Sequence, residues 1–442
     1  MGSNRRMTRW LALICLALPI GNPWAAPKIE SWNTENGAKV LFVPSPGLPM
    51  VDVRVVFDAG SARDDGKPGS AVLTNGLLTE SAGKWSADEV AERMEAVGAE
   101  LSNGAQRDMA WVALRSLTEK KVLDTALETL AAVLAEPRFE RGDVERLRLT
   151  MLSSLKQEAE SLANIGEKAF YETVYQGHPY ASNPNGTPES VNGLTEEALK
   201  AFYRRYYVAA NAVVAIVGDL SLDEAKDVAR RALAGLPAGS KAIPLPEPAI
   251  PDKAVERRIN HPSTQTHIFL GQPGMKRGDP DYFPLYVGNH ILGGNGLVSI
   301  LSEEVREKRG LSYSVSSHFM PMSQLGPFQI TAQTQNSQAD EAVRVMRDTL
   351  RRFMEEGPAE KELESAKRNI SGGFPMQIAS NGKIVQYLAM IGFYGLPLDY
   401  LDRLVPNVME VTKEQIRDAF RRRLAPERFI TITVGKSGDG KD

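Results

Sequence analysis

Five histidines are the imidazoles through which this chain could hold a transition metal, and their spacing decides what chemistry they offer. Imidazoles at i and i+4 on a helix converge on one ion, and a thiolate or carboxylate completes such a site. His178, His261, His267, His290 and His318 contain no such pair, and the sole thiol is Cys15. Spacing therefore argues against a catalytic three-ligand metal site. His178 stands in "GHPY", where a hydrogen-bonded histidine at a turn is the ordinary reading and a metal ligand the rarer one.

Any other chemistry must be positioned by the fold, which composition bounds. The chain has 442 residues, is 42% hydrophobic and carries a formal net charge of −3. That is enough for two or more ordinary cores, and implies neither a nucleic acid nor another strongly charged partner. Arg5, Arg6 and Arg9 precede the apolar run "WLALICLALPI" and then "NPWAAP", the order of a secretory signal peptide spanning 1–26. The eleven apolar residues are too few to cross a bilayer as a helix, so no membrane attachment is expected after cleavage near Ala25 or Ala26. Ile14 fills the position before Cys15 where a lipoprotein would carry a small residue. The mature chain would then hold no thiol and no disulfide, which suggests a periplasmic location.

Five prolines between Pro237 and Asp252 mark a stiff linker, taken as 237–257. It separates a unit at 27–236 from one at 258–442. "LTEEALKAFYRRYYVAANAVVAIVG" (194–218) matches "VTKEQIRDAFRRRLAPERFITITVG" (411–435) without a gap, 217 residues later. Each reads as a helix opened by a capping Thr and followed by an apolar, β-branched strand. The amphipathic helices at 120–137 and 340–358 pair in the same order. "AKVLFVPSPGLPMVDVRVVFDAGS" reads as a hairpin and "MAWVALRSL" as a strand. The expectation is an α+β chain of two duplicated domains, each an antiparallel-rich sheet covered by helices on one face.

With that layout, "FDAGSARDDGKPGSA", "YQGHPYASNPNGTPESV" and "ILGGNGLVSILSEEVREKRGLSYSVSS" resemble the pitrilysin or insulinase family of zinc peptidases, over about residues 30–436. The resemblance implies the H-x-x-E-H signature, two zinc-binding His flanking a Glu that serves as general base. Aligned on the family's lead-in, "KPGSAVLTNGLL" places Val72 and Gly76 at the His positions and Asn75 at the Glu position. Val has no lone pair, Gly no side chain, and an Asn amide takes no proton from water at neutral pH. The third ligand, a Glu about 77 residues beyond the second His in the family, falls near Ser153; Glu158 and Glu160 lie further along. This chain is thus expected to bind no zinc.

What remains is "REKRGLSY", which sets Arg306 and Tyr313 at the spacing of the family's substrate-binding Arg and Tyr. Arg306 offers permanently charged donors for a peptide carbonyl or oxyanion, and Tyr313 a phenolic one. An Arg among Glu303, Glu304 and Glu307 is also an ordinary ion-pair partner, and a Tyr in "LSYSVSS" an ordinary strand residue. The family also binds peptide by strand addition at an edge matched here by "AELSNGAQ", making Ser102 and Asn103 candidates. Ile300 departs from relatives that commonly carry Arg there. The resemblance implies half of a clamshell heterodimer, in which a homologous H-x-x-E-H-bearing subunit supplies the zinc and this chain the Arg and Tyr. The alternative is a peptide-holding or structural assembly subunit with no part in hydrolysis.

Overall fold

A computed structural model describes residues 28–436. The signal-peptide segment, with Cys15, lies outside the described residues. Among these, the first sheet contains β1 (Glu30–Asn33), β2 (Lys39–Pro44), β3 (Met50–Phe57), β4 (Glu100–Ala105), β5 (Ala110–Leu117) and β6 (Ala212–Gly218). The second contains β7 (Val255–Asn260), β8 (Gln265–Met275), β9 (Ser312–Phe319), β10 (Gly326–Gln335) and β11 (Ile430–Gly435).

The strand orders are β1-β2-β6-β3-β5-β4 and β7-β11-β8-β10-β9. In each sheet the last strand in sequence inserts between two earlier ones. β6 runs parallel to β2 and antiparallel to β3, as β11 does to β7 and β8. The 217-residue repeat is thus visible as topology. Helix Glu196–Tyr206, the turn at Ala209–Asn211 and β6 recur as helix Lys413–Arg423, the turn at Pro426–Arg428 and β11. Both helices begin where a Thr hydroxyl accepts one of the first-turn amides that would otherwise be left open: Thr195 from Ala198 and Thr412 from Gln415.

Every residue of β6 is buried, so its sheet must be covered on both faces. Helices of the first half, Lys120–Ala135 and Leu222–Ala232 among them, cover one face. The other receives helix Asn381–Tyr394 from the second half, which packs on β2, β3 and β6. Reciprocally, helix Leu162–Val174 of the first half lies across β8 and β11. Each crossing helix carries a glycine at the contact. A Cβ on Gly392 would lie 2.4 Å from Val213 Cγ1, and one on Gly166 2.0 Å from Phe269 Cε2, so only hydrogen fits at either place.

The Pro-rich stretch has neither helix nor strand from 237 to 254, and β7 begins at Val255, within the last three residues of the segment read as linker. It is held along its length. Arg63 donates to Ile243 O, Gln324 to Leu245 O, and a ring nitrogen of His178 meets Pro246 O at 2.9 Å. The other ring nitrogen of His178 accepts from Tyr180 N at 3.1 Å, and burial lowers its affinity for a proton. Nearby, the Asp108 carboxylate joins the halves: it accepts from Tyr180 OH at 2.5 Å in the first, and from Ser323 N at 2.7 Å and Tyr394 OH at 3.0 Å in the second. Among the described residues no helix is long and apolar enough to cross a membrane.

Candidate functional site

Helix Ser70–Leu78 carries the three positions where the metal donors and base are missing. It starts after Gly69, whose φ of 95° is in the left-handed region open to glycine. Its first amides are received by Asp64, which accepts from Gly69 N at 2.9 Å and Ala71 N at 2.8 Å. Burial pushes the Asp64 carboxyl up to about 7, although both amides favour its charged form.

Asn75 is only 1% exposed and serves as a joint. Its side-chain nitrogen lies 3.2 Å from both Trp111 O on β5 and Tyr207 OH, while its backbone carbonyl accepts from Asn103 Nδ2 on β4 at 2.6 Å. Val72 is partly buried, and a Cβ on Gly76 would meet Leu147 Cδ1 at 3.3 Å. These neighbours are hydrocarbon, amide or a buried phenol, with no imidazole, thiolate or carboxylate among them, so the residues present do not fit a zinc ion. Among the described residues no three His, Cys, Asp or Glu side chains group so as to hold a metal.

Ser153 lies on helix Arg141–Glu158, which brings Leu147 beside Gly76 and Met151 beside Gly69. Ser153 is exposed, two residues and so more than half a turn from Met151. Of the residues on this helix, Leu147 is the one that meets the Gly76 position. Glu158 is committed elsewhere, to Asn183 and to Asn185, the latter at 2.5 Å.

Ser102 and Asn103 sit on β4, the edge of the first sheet, with one side paired to β5 and the other unpaired within it. They point to opposite faces: Asn103 reaches helix Ser70–Leu78, whereas Ser102 is exposed. The free edge thus runs beside the helix that lacks the donors.

β9 holds the same edge place in the second sheet, and there Arg306 and Tyr313 come together. The Arg306 guanidinium carbon stands 5.1 Å from the centroid of the Tyr313 ring, within cation–π range. Tyr313 is 84% exposed, against the alternation of its strand, since Val315 and Ser317, two and four residues on, are buried. The reason is a β-bulge. Gln333 pairs with Ser314 and the next residue, Thr334, with Ser312, so Tyr313 has no partner and is turned outward.

The turn bearing Arg306 is fixed by Glu304, whose side chain is almost wholly buried. Lys308, Arg309 and Arg352 approach its carboxylate at 2.9, 2.7 and 3.0 Å. Burial alone would raise this carboxyl, but the three cations overcome it and hold it at about 2. Glu304 was legible only as one of several acids near Arg306, although its spacing to Lys308 is that of a helical ion pair.

Residues 39–187 match the model described as insulinase (peptidase family M16), and 193–370 the model described as peptidase M16 inactive domain. The chain is 26% identical to a Helicobacter pylori protein named as a non-peptidase homolog, YmxG, over 93% of this chain and 95% of that one. It superposes on a crystal structure of a peptidase M16 inactive domain from Pseudomonas fluorescens with a TM-score of 0.90 at 37% identity, covering 93% of this chain and 99% of the other. The crystal structure of a Helicobacter pylori protease, at 20% identity and a TM-score of 0.84, shares the fold over 92% of this chain and 99% of that one.

Proposed function

The chain belongs to the insulinase (M16) peptidase family, and on that premise we propose that it is the noncatalytic subunit of a periplasmic, heterodimeric zinc peptidase. A homologous H-x-x-E-H-bearing subunit supplies the zinc and the general base. This chain supplies Arg306 and Tyr313, which donate to the carbonyl oxygen of the bound peptide as it gains negative charge. The observation that carries the reading is an asymmetry. The metal positions have no donors and Asn75 is built into a structural joint, while Tyr313 is turned out of its strand under a guanidinium.

Mixing this chain with an exported homologue bearing H-x-x-E-H tests the reading. Peptidase activity that neither chain has alone is the expected outcome. Stoichiometric zinc and full activity in this chain by itself would overturn it. A second reading, a peptide-holding subunit with no part in hydrolysis, draws on the unpaired β4 edge and exposed Ser102. It predicts a mixed complex whose turnover is indifferent to Arg306→Ala with Tyr313→Phe.

A further inference from the structure

We infer that Ser312 is a positioning residue that holds the β9 bulge and thereby aims Tyr313, an inference that rests on the role just proposed for Tyr313. In regular alternation Tyr313 would share the buried face of Val315 and Ser317; one extra residue in β9 reverses this. An inserted residue leaves ladder groups of the strand without partners, and something must receive them. Ser312 does so. Its hydroxyl, on a residue only 5% exposed, lies 2.7 Å from Ser314 O and 2.6 Å from Gln333 O, and accepts from Ser314 N at 3.2 Å. It therefore spans the bulge from before Tyr313 to after it, and ties both sides to β10. Thr334 adds a hydroxyl bond to Leu311 O on the flank.

The geometry gives the side chain a distinct task. Alanine at 312 removes the hydroxyl that bridges the bulge, and the register that restores a full ladder turns the Tyr313 ring toward the face of Val315 and away from Arg306. Threonine keeps the hydroxyl.

Nitration with tetranitromethane reads this directly, because Tyr313 is the one tyrosine among the described residues that is exposed. In the native chain, peptide mapping should find nitrotyrosine mainly at 313. Ser312→Ala should lose most of that modification while the chain stays folded by circular dichroism. Ser312→Thr should retain it, and Thr334→Val, which loosens the same bulge from its flank, should lower it. In the mixed complex, Ser312→Ala should reduce kcat and kcat/KM together, up to about a hundredfold, with KM little changed. Undiminished nitration of Tyr313 in folded Ser312→Ala overturns the inference. Should nitration fall while neither Ser312→Ala nor Tyr313→Phe alters turnover, the positioning role stands and the proposed function of Tyr313 fails instead.

Discussion

Arg306 and Tyr313, seven residues apart in sequence, meet face to ring at 5.1 Å on the free edge of the second sheet. Neither side chain has a structural duty that demands this. Tyr313 is 84% exposed, and the ion pair of Arg306 with Glu307 is a long one of 3.5 Å. Partly exposed, long pairs of that kind contribute about 0–1 kcal/mol. Arg306→Ala and Tyr313→Phe are therefore expected to leave the melting temperature nearly unchanged. In the mixed complex, Arg306→Ala should lower turnover on the order of a hundredfold, the usual scale for one transition-state donor. A fluorogenic peptide assay alongside gel filtration separates lost chemistry from lost association.

Rebuilding the metal site should fail in an informative way. Val72→His, Asn75→Glu and Gly76→His place new donors on the helix, but Asn75→Glu also breaks the joint to Trp111 O and Tyr207 OH. Leaving such buried partners unsatisfied costs about 1–3 kcal/mol. The triple variant should melt lower and bind zinc weakly by elemental analysis. Adding Leu147→Glu should strengthen zinc binding, because Leu147 faces Gly76; adding Ser153→Glu should not, because Ser153 faces solvent. Equal gains from the two additions would contradict the assignment of faces.

Glu304 gives a pH dependence whose sign is fixed. Its folded carboxyl sits at about 2, below the ordinary 4.5. The charged form is thus favoured by folding, and the stability it contributes is present above about 4.5 and lost as pH falls toward 2. Glu304→Gln should destabilise the chain at neutral pH by on the order of 2 kcal/mol, since Lys308, Arg309 and Arg352 then lose a shared, mostly buried anion. The difference between wild type and variant in urea unfolding should shrink at acid pH. A gap that stays constant down to about pH 2.5 would show that the ion cluster is not its source.

The two halves should behave as one body despite the Pro-rich stretch between them. Asp108 joins Tyr180 to Tyr394 and Ser323, and helices Leu162–Val174 and Asn381–Tyr394 each pack on the other half's sheet. A protease site engineered at 247–252 should therefore yield, after cutting, two fragments that co-elute. Gly166→Val should weaken that association strongly, because even a Cβ would enter the Phe269 ring. Fragments of the otherwise native chain that separate on gel filtration would count against this packing.

The sequence by itself determined the repeat and the losses. Helix and strand positions 217 residues apart were legible because capping hydroxyls, 3.6-residue periodicity and β-branched runs act over a few neighbouring residues. The absence of metal chemistry was equally local: Val72, Asn75 and Gly76 lack the donors wherever they are placed. Tertiary structure alone decided which positions face one another. Counting residues puts the third-ligand position near Ser153, whereas only the fold shows that Ser153 is exposed and that Leu147 meets Gly76, because the phase of one helix against another is set by packing between segments distant in sequence. Covering of each sheet by a helix from the other half, through Gly166 and Gly392, likewise arises only when both halves are folded together. The outward turn of Tyr313 belongs to the same class. A bulge exists only relative to a partner strand, so nothing within "LSYSVSS" could reveal that β10 would pair with the residues on either side of Tyr313 and leave it free.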